Sequence, residues 1–203
     1  MVSLTQDSRF DFDIIKRWIT PGERVLDLGC GDGDLLAHLI AERGVKGYGI
    51  ERDVKHVVAC VAAGINVLQI DLEQGLAGFE DAQFDHVIMS LSLQAVLNTD
   101  GILSEMLRVG REAVVSFPNF GYWRHRVSIA EGHMPVSDIL PFEWYNTPNV
   151  RFFTMADFEQ LCAKRGIAIL QRVAFDEDRE ITTDPNNYAS VAIYRLGRAA
   201  VGA

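Results

Sequence analysis

The first two-thirds of the chain alternate short apolar runs with longer segments whose apolar residues recur every three or four positions. The short runs are typical of buried strands and the longer segments of amphipathic helices, so the alternation predicts parallel strands joined by crossover helices. This order indicates an α/β fold with a doubly wound, Rossmann-like sheet. The predicted strands in this part are 24–29, 46–51, 66–71, 84–90 and 112–118, and the predicted helices are 9–19, 34–43, 54–63 and 99–109.

The last third of the chain predicts one helix and two strands. The helix is expected over 154–166, because a threonine opens it, Asp157 lies in its first turn and Gly166 stands at its end. The strands are expected at 167–175 and 188–196, and a polar turn rather than a helix separates them. Strands joined in this way predict an antiparallel hairpin at the sheet edge. The whole sheet is then expected to have seven strands, most of them parallel.

A chain of this length is most simply one domain, which we expect over 1–197, with 198–203 as a flexible tail. Segment 119–150 does not fit the alternation of strands and helices. It is too long for an ordinary connection, is rich in aromatic residues and contains three prolines. We therefore expect this segment to be either a lid over a ligand or a docking surface for a partner.

Composition and charge exclude several classes of function. The net charge of −9 disfavours binding to nucleic acids and to anionic membranes. The three cysteines are unclustered and the five histidines are scattered, so neither a disulfide framework nor a metal site is expected. The amino terminus has no basic segment followed by an apolar run, and no long apolar stretch occurs later. These features favour a cytoplasmic protein.

A glycine-rich turn, VLDLGCGDGDLL over 25–36, joins the first predicted strand to a helix and is typical of nucleotide sites. It lacks the lysine of a Walker loop, which excludes nucleoside triphosphates of that class. A dinucleotide site needs a third glycine where Asp34 stands, and Asp32 adds a second carboxylate that would repel a pyrophosphate. A nicotinamide-dependent dehydrogenase therefore remains only a weak alternative. S-adenosylmethionine, which carries a sulfonium and an ammonium and no phosphate, suits the turn better.

The turn resembles the glycine motif of class I S-adenosylmethionine-dependent methyltransferases, hydrophobic-x-D-x-G-x-G-x-G. That resemblance implies that Asp27 and the backbone around the glycines face the methionine portion of the cofactor. Glu51 ends the second strand, where its carboxylate can accept hydrogen bonds from both ribose hydroxyls, and Asp71 ends the third, near the adenine amino group. The predicted cofactor-binding residues are Asp27, Gly29, Cys30, Gly31, Gly33, Glu51, Asp71 and Leu72.

Each of these residues also has a structural interpretation. Glu51 could be a solvated strand end, and Asp71 could be an ordinary turn residue. Cys30 is better explained as a small residue that fills space inside the turn than as a reactive thiol. The agreement of the glycine turn with two acids at successive strand ends favours the cofactor site over these alternatives.

The sequence gives no catalytic motif. The Asp/Asn-Pro-Pro-Tyr/Phe signature of amino-methyltransferases is replaced here by Ser90-Leu-Ser-Leu-Gln94. Methyl transfer needs little beyond alignment of the acceptor, so an active site could still be present without a signature. For each candidate, a structural role or simple exposure to solvent is at least as expected as contact with a substrate or partner. His125, for example, lies between two arginines and could be solvated. The candidates for contact with a substrate or a partner are Gln94, Asn119, Tyr122, Trp123, Arg124, His125, His133, Trp144 and Tyr145.

A narrower resemblance is to the MetW family of methionine-biosynthesis proteins. It rests on the glycine turn, on SLSLQAV and SFPNFGYWRHR, and on GHMPVSDILPFEWYNTPNVRFFTMADFEQLC, and it extends from residue 9 to about residue 175. The resemblance implies a cytoplasmic partner of homoserine O-acyltransferase, with bound S-adenosylmethionine reporting the supply of the end product. The alternative hypothesis is a methyltransferase that acts on a small molecule. Segment 119–150 would dock the partner in the first case and close over the acceptor in the second.

Overall fold

The computed structural model describes residues 10–199, in which the predicted helices and strands occur in the predicted order. Two short helices, Trp123–Ala130 and Pro185–Tyr188, and the short strand Arg179–Glu180 were not predicted. The helices are α1 Phe10–Trp18, α2 Asp34–Arg43, α3 Val54–Ala62, α4 Thr99–Val109, α5 Trp123–Ala130, α6 Met155–Arg165 and α7 Pro185–Tyr188. The strands are β1 Arg24–Leu28, β2 Lys46–Glu51, β3 Val67–Gln69, β4 Phe84–Ser90, β5 Gly110–Pro118, β6 Ile167–Asp176, β7 Arg179–Glu180 and β8 Val191–Arg198.

Within the described residues the strands form one eight-stranded sheet in the order β3-β2-β1-β4-β5-β8-β6-β7. The first five in this order are parallel, and β8 pairs antiparallel with both β5 and β6. The mostly parallel α/β fold and the antiparallel carboxyl-terminal hairpin are thus confirmed. Strand β8 lies inside the sheet, however, between β5 and β6, instead of at its edge.

The prediction of seven strands was one too few. The chain turns back directly after β6, where Glu177 has a φ of 56°, and Arg179 and Glu180 pair with Asp176 and Phe175. This short strand β7 comes from the segment expected to be only a polar turn, which also contains the single-turn helix α7. Two charged residues give no strand pattern in the sequence, so only the pairing in three dimensions reveals them.

Helices cover both faces of the sheet because alternate residues of each central strand point to opposite sides. In β1, Leu26 and Leu28 are fully buried on one face, where α4 and α6 pack. Val25 is buried on the other face with α1 and α2. The sheet therefore has an apolar layer on each side, and the carboxyl ends of its parallel strands remain available for a ligand.

The predicted helix ends are confirmed at α6. The Thr154 hydroxyl accepts a hydrogen bond from the Asp157 N–H at 3.2 Å, and the Asp157 carboxylate accepts one from the Thr154 N–H at 2.9 Å. Gly166 follows the helix with a φ of 65°. At the carboxyl terminus the tail was predicted to begin at Arg198, but Arg198 is the last residue of β8, and its guanidinium donates to the Leu107 carbonyl at 3.0 Å. The rest of the predicted tail, 200–203, lies outside the described residues.

No helix in the part of the chain that the structure describes is long and apolar enough to cross a membrane.

Candidate functional site

The glycine turn after β1 takes a conformation that glycine alone adopts easily. Gly29, Gly31 and Gly33 have φ values of 71°, 58° and 85°, in the left-handed region that side chains disfavour. The N–H groups of Gly29 and Cys30 both donate to the Ile50 carbonyl, at 2.8 and 3.0 Å, and so tie the turn to the end of β2. Gly33 caps α2, and a side chain there would meet the Cys60 sulfur at 3.1 Å. The glycines therefore serve the shape of the turn.

Glu51, at the end of β2, is only 9% exposed and organises this turn. Its Oε2 accepts the Gly31 N–H at 3.0 Å, and its Oε1 accepts the N–H groups of Arg52 and Asp53 at 2.7 and 2.8 Å. A carboxylate has about four acceptor positions, of which three are filled here. One acceptor position, on Oε2, therefore remains for a ligand, and acceptance from the ribose hydroxyls stays a prediction.

Asp71 and Leu72 follow β3, at the same end of the parallel strands as Glu51. The Asp71 Oδ1 accepts the Glu73 N–H at 3.1 Å and so caps a single 3₁₀ turn at Leu72–Gln74. Its Oδ2 lies 3.8 Å from the Arg52 guanidinium. Asp71 thus caps a turn, and it also lines the cavity described next. Its structural role in the turn is compatible with the predicted contact to adenine.

A cavity of about 640 Å³ joins these strand ends and falls within the usual size range for small-molecule sites. Six predicted cofactor residues line it: Asp27, Gly29, Cys30, Glu51, Asp71 and Leu72. Gly31 and Gly33, which we also expected to contact the cofactor, are not part of the wall. Both glycines are buried, and the Gly31 N–H donates a hydrogen bond to the Glu51 carboxylate. The structure therefore brings the three elements of the predicted site together around one space.

Acidic side chains outnumber basic ones in this wall, which suits a cationic ligand better than a pyrophosphate. Asp32 and Asp34 both line the cavity, as their places in the turn indicated. The Asp32 carboxylate lies 2.6 Å from the His56 imidazole, a contact between the turn and α3 that the sequence did not reveal. Within the described residues no group of three or more metal-binding side chains is present.

Cys30 and Cys60 lie beside the turn with their sulfur atoms 3.9 Å apart. Desolvation is the main cause that raises the pKa of both thiols, and the nearby carboxylates of Asp27 and Glu51 add to it. Cys30 also fills the space above Gly49, where a Cβ would lie 2.4 Å from the Cys30 sulfur. The side chain is thus a packing residue, as the sequence interpretation favoured.

We expect the folded protein to resist alkylation by iodoacetamide at neutral pH. The thiolate is the reactive form, and a raised pKa lowers its fraction at every pH below that value; for Cys162 burial raises the pKa to about 11. Mass spectrometry of the intact chain should show labelling of all three cysteines only after denaturation. Rapid labelling of Cys30 in the folded protein at pH 7 would contradict this assignment.

Gln94 is the one predicted substrate or partner residue, of those in the described chain, that lines the cavity. It follows β4 in a single 3₁₀ turn at Leu93–Ala95 and is only 2% exposed. Its side-chain N–H donates to the Leu91 carbonyl at 2.7 Å. Leu91 has a φ of 50°, a strained value for leucine, and such strain is often found at ligand sites.

Asn119, Tyr122 and His125 are buried at the root of segment 119–150 and hold it in place. The Asn119 amide donates to the carbonyls of Asn186 and Ala189 at 2.9 and 2.8 Å. The Tyr122 hydroxyl donates to Asp176 at 3.0 Å, and burial together with that bond raises its pKa. None of the three lines the cavity, so the structure gives them an anchoring role.

His125 was a candidate for contact with a substrate or partner, with a structural or a solvated role as the alternatives, and it is only 2% exposed. Residues one position away on a helix point in other directions, so Arg124 and Arg126 reach the solvent while His125 points inward. Its Nδ1 donates to the Asn119 carbonyl at 3.2 Å, and its Nε2 lies 3.2 Å from the Ser137 hydroxyl. Burial lowers the pKa of the imidazole, which favours the neutral form.

The remaining candidates of segment 119–150 are exposed. The Arg124 guanidinium lies 5.4 Å from the ring centre of Trp123, and the rings of Trp144 and Tyr145 pack edge to face at 5.7 Å. Trp144 also lines a mostly apolar groove of about 310 Å³, here called the aromatic groove. Its lining residues are Phe120, Met134, Pro135, Leu140, Phe142, Trp144, Thr147, Asn149 and Phe152. His133 is exposed and lines neither space.

The aromatic groove and the cavity share part of their walls. Phe142 and Asn149 line both spaces, and Pro148 beside them lines the cavity. These residues were not among the predicted site residues, and neither were Phe12 of α1 or Ser90 to Ser92 at the end of β4. Ser90 to Ser92 could have been found, since they follow a strand at the end where such sheets bind ligands. Phe142, Pro148 and Asn149 have no such signal, because the path of an irregular segment cannot be predicted from its composition.

Comparison with solved structures defines the class of this fold. An S-adenosylmethionine dependent methyltransferase from Mesorhizobium loti is similar with a TM-score of 0.71 at 17% identity, over 95% of this chain and 99% of that one. The sheet order and the cavity at the strand ends agree with that likeness, and the protein has the fold of class I methyltransferases. Within this class, the family model of the methionine biosynthesis protein MetW matches residues 9–196, and the chain belongs to the MetW family.

Two relatives extend the comparison. The bifunctional methionine biosynthesis protein MetXA/MetW of Rhodopirellula baltica is 39% identical over 202 residues, which cover 93% of this chain and 32% of the relative. The ubiquinone/menaquinone biosynthesis C-methyltransferase UbiE of Vibrio vulnificus is 36% identical over 109 residues, which cover 48% of this chain and 42% of that protein. The chain thus spans less than half the length of either relative.

Proposed function

We propose that this protein binds S-adenosylmethionine and acts as an activating or regulatory subunit of homoserine O-acyltransferase in methionine biosynthesis. The observation that carries the proposal is the Rhodopirellula relative, whose name joins a MetXA part and a MetW part in one protein. We take the MetXA part to be the acyltransferase that the family resemblance implies. A fusion holds its two parts at a high effective concentration, which favours parts that work in contact. The three free cysteines suit the reducing cytoplasm in which we place this activity.

The cavity supports the cofactor part of this proposal. Its size, its acidic wall and the remaining acceptor position on Glu51 fit S-adenosylmethionine better than a dinucleotide. Glu51 would hold the ribose, Asp71 and Leu72 the adenine, and Asp27 the methionine portion. When bound, the cofactor supplies a positively charged sulfonium that carries a transferable methyl group. In a regulatory subunit it would instead report the level of the end product.

The aromatic groove supports the docking part. It presents Trp144, a residue type that often anchors interfaces, at 72% exposure. Phe142 and Asn149 form part of both the groove and the cavity. A ligand in the cavity can therefore change the packing of residues that a docked partner would contact. This shared wall is a physical route by which cofactor and partner could influence each other's binding.

Co-expression with the acyltransferase of the same organism tests the association. We expect a tagged form of this protein to retain the acyltransferase through affinity and size-exclusion chromatography. Purified acyltransferase titrated into the purified protein should also give a saturable calorimetric signal. If the two proteins separate on both columns and give no signal in the titration, the subunit proposal is wrong.

A small-molecule methyltransferase is the second candidate, and one observation favours it. The cavity wall continues beyond the predicted cofactor residues to Phe12, Ser90 and Phe142, which leaves room for an acceptor beside the cofactor. The likeness to the UbiE C-methyltransferase adds support. Incubation with methyl-labelled S-adenosylmethionine and a small-molecule extract should then give a labelled product. Absence of label in extracts from several growth conditions would count against this candidate.

A further inference from the structure

Asn149 is the polar member of the wall that the cavity and the aromatic groove share. Among the described residues, Phe142 and Asn149 line both spaces, and Phe142 has no hydrogen-bonding side chain. The Asn149 side-chain amide makes no hydrogen bond to a described residue, although the residue is only 9% exposed. Its oxygen and nitrogen are nevertheless not among the described unpartnered atoms that are fully enclosed. Both atoms therefore open onto the spaces that Asn149 lines.

The chemistry of this amide indicates what it can bind. A side-chain amide has one acceptor oxygen and two N–H donors, and polar groups that are left unpaired in a largely buried position are costly. A few polar groups of this kind in a small-molecule site fix the orientation of the ligand. A zwitterionic amino acid group suits an amide well, because its carboxylate accepts from the N–H groups and its ammonium donates to the oxygen. The methionine portion of S-adenosylmethionine ends in such a group.

The backbone around Asn149 places it on the side of the cavity where we propose the methionine portion. The next residue, Val150, donates its N–H to the Gln94 carbonyl at 2.9 Å, in the turn after β4. Ser92 begins the same turn, and a Cβ on Gly29 would lie 3.3 Å from the Ser92 Cβ. This turn therefore borders the glycine turn. The predicted ribose and adenine contacts follow β2 and β3, on the other side of β1 in the sheet.

The same backbone also ties Asn149 to the aromatic groove. The Asn149 N–H donates to the hydroxyl of Thr147 at 3.1 Å, and Thr147 lines the groove. The Thr147 N–H in turn donates to the Glu143 carbonyl at 3.1 Å. Glu143 directly precedes Trp144, the most exposed aromatic residue of the groove. A change in the position of Asn149 is therefore transmitted through two hydrogen bonds to the backbone beside Trp144.

We infer that Asn149 couples the two spaces: its amide pairs with the amino acid end of S-adenosylmethionine, and this contact sets the shape of the groove that the partner meets. The inference deepens the proposed function and rests on binding of both the cofactor and the acyltransferase. A ligand that holds the Asn149 amide also holds the backbone of 143–149. Coupling between two sites changes both affinities by one shared factor, typically about 5–150.

A binding cycle with the variant Asn149→Ala tests the inference. The Kd for the acyltransferase is measured by calorimetry with and without saturating S-adenosylmethionine, and the ratio of the two values is the coupling factor. We expect the two Kd values to differ about fivefold or more in the wild type, and by no more than about twofold in Asn149→Ala. A general loss of affinity cancels in this ratio, so a merely structural effect of the variant does not imitate the result.

Asn146→Ala is the matched control. Asn146 has the same side chain, is exposed in the same segment and lines neither the cavity nor the aromatic groove. This variant should keep the wild-type coupling factor. A wild-type factor in Asn149→Ala, or an equal loss in both variants, would overturn the inference. If the wild type binds both molecules without coupling, the inference fails and the subunit proposal stands. If the wild type does not bind one of them, the proposed function fails first and the inference falls with it.

A second measurement needs no variant that has to fold. In the ¹⁵N-labelled wild-type protein, S-adenosylmethionine alone should shift the side-chain amide resonance of Asn149 and leave that of Asn146 in place. A shift of the Asn149 resonance with the acyltransferase but not with S-adenosylmethionine would mean that the amide contacts only the partner. That result would overturn the inference as well.

Discussion

Replacement of Glu51 by alanine should raise the Kd for S-adenosylmethionine by a factor of about 30 to 150, equivalent to about 2–3 kcal/mol. The loss has two physical sources. The variant removes the acceptor that we propose for a ribose hydroxyl, and it also removes the carboxylate that holds the N–H groups of Gly31, Arg52 and Asp53. The glycine turn must then be ordered by the ligand itself, at an added entropic cost. Isothermal titration calorimetry measures the change directly.

Glu80→Ala is the matched control for this variant. Glu80 is exposed, lies outside the cavity wall and gives the same change in net charge. We expect it to bind S-adenosylmethionine as the wild type does. Thermal unfolding of both variants shows whether the Glu51 variant keeps its fold. A folded Glu51→Ala protein with wild-type affinity would show that the cofactor lies elsewhere.

The double variant Trp144→Ala/Tyr145→Ala should weaken binding of homoserine O-acyltransferase by a factor of about 30 or more, since even one interface anchor of this type contributes about 2 kcal/mol or more. Both side chains are exposed, at 72% and 69%, and their main ring contact is with each other. Their removal should therefore leave the free energy of unfolding within about 0.5 kcal/mol of the wild-type value. Affinity for the acyltransferase can be measured by calorimetry or by surface plasmon resonance.

The control for the docking prediction is Val58→Ala/Val61→Ala on α3. These valines are similarly exposed, at 62% and 65%, and lie outside the aromatic groove. Their replacement by alanine removes apolar surface from another part of the molecule, so the affinity for the acyltransferase should not change. If the two double variants weaken binding equally, or if neither does, the aromatic groove is not the docking surface.

The sequence was sufficient for the parts of the fold that depend on local pattern. The predicted strands and helices and the caps of α6 follow from hydrophobic period and capping residues, and Glu51 and Asp71 follow from their places at strand ends, whereas β7, α5 and α7 have no such signal. The insertion of β8 between β5 and β6 could not be predicted, because spacing along the chain does not determine which distant strands pair.

The candidate site shows the same division between local and distant information. Gln94 was among the candidates, but the burial of its side chain depends on how the turn at Leu91 folds back, which no sequence motif encodes. The charged neighbours of His125 left a solvated role open, whereas helix geometry turns the side chain inward. The wall shared by the cavity and the aromatic groove depends on the path of segment 119–150, for which the sequence has no periodic signal.

The proposed activating role can be measured as the rate of acyl transfer from an acyl donor to homoserine, with purified acyltransferase and increasing amounts of this protein. We expect the rate to rise to a plateau as the protein is added. We also expect S-adenosylmethionine to shift the concentration needed for half of that effect, because the cavity and the aromatic groove share a wall, and binding in one would then be linked reciprocally to binding in the other. A rate that stays the same at every concentration of the protein, with and without S-adenosylmethionine, would contradict that role.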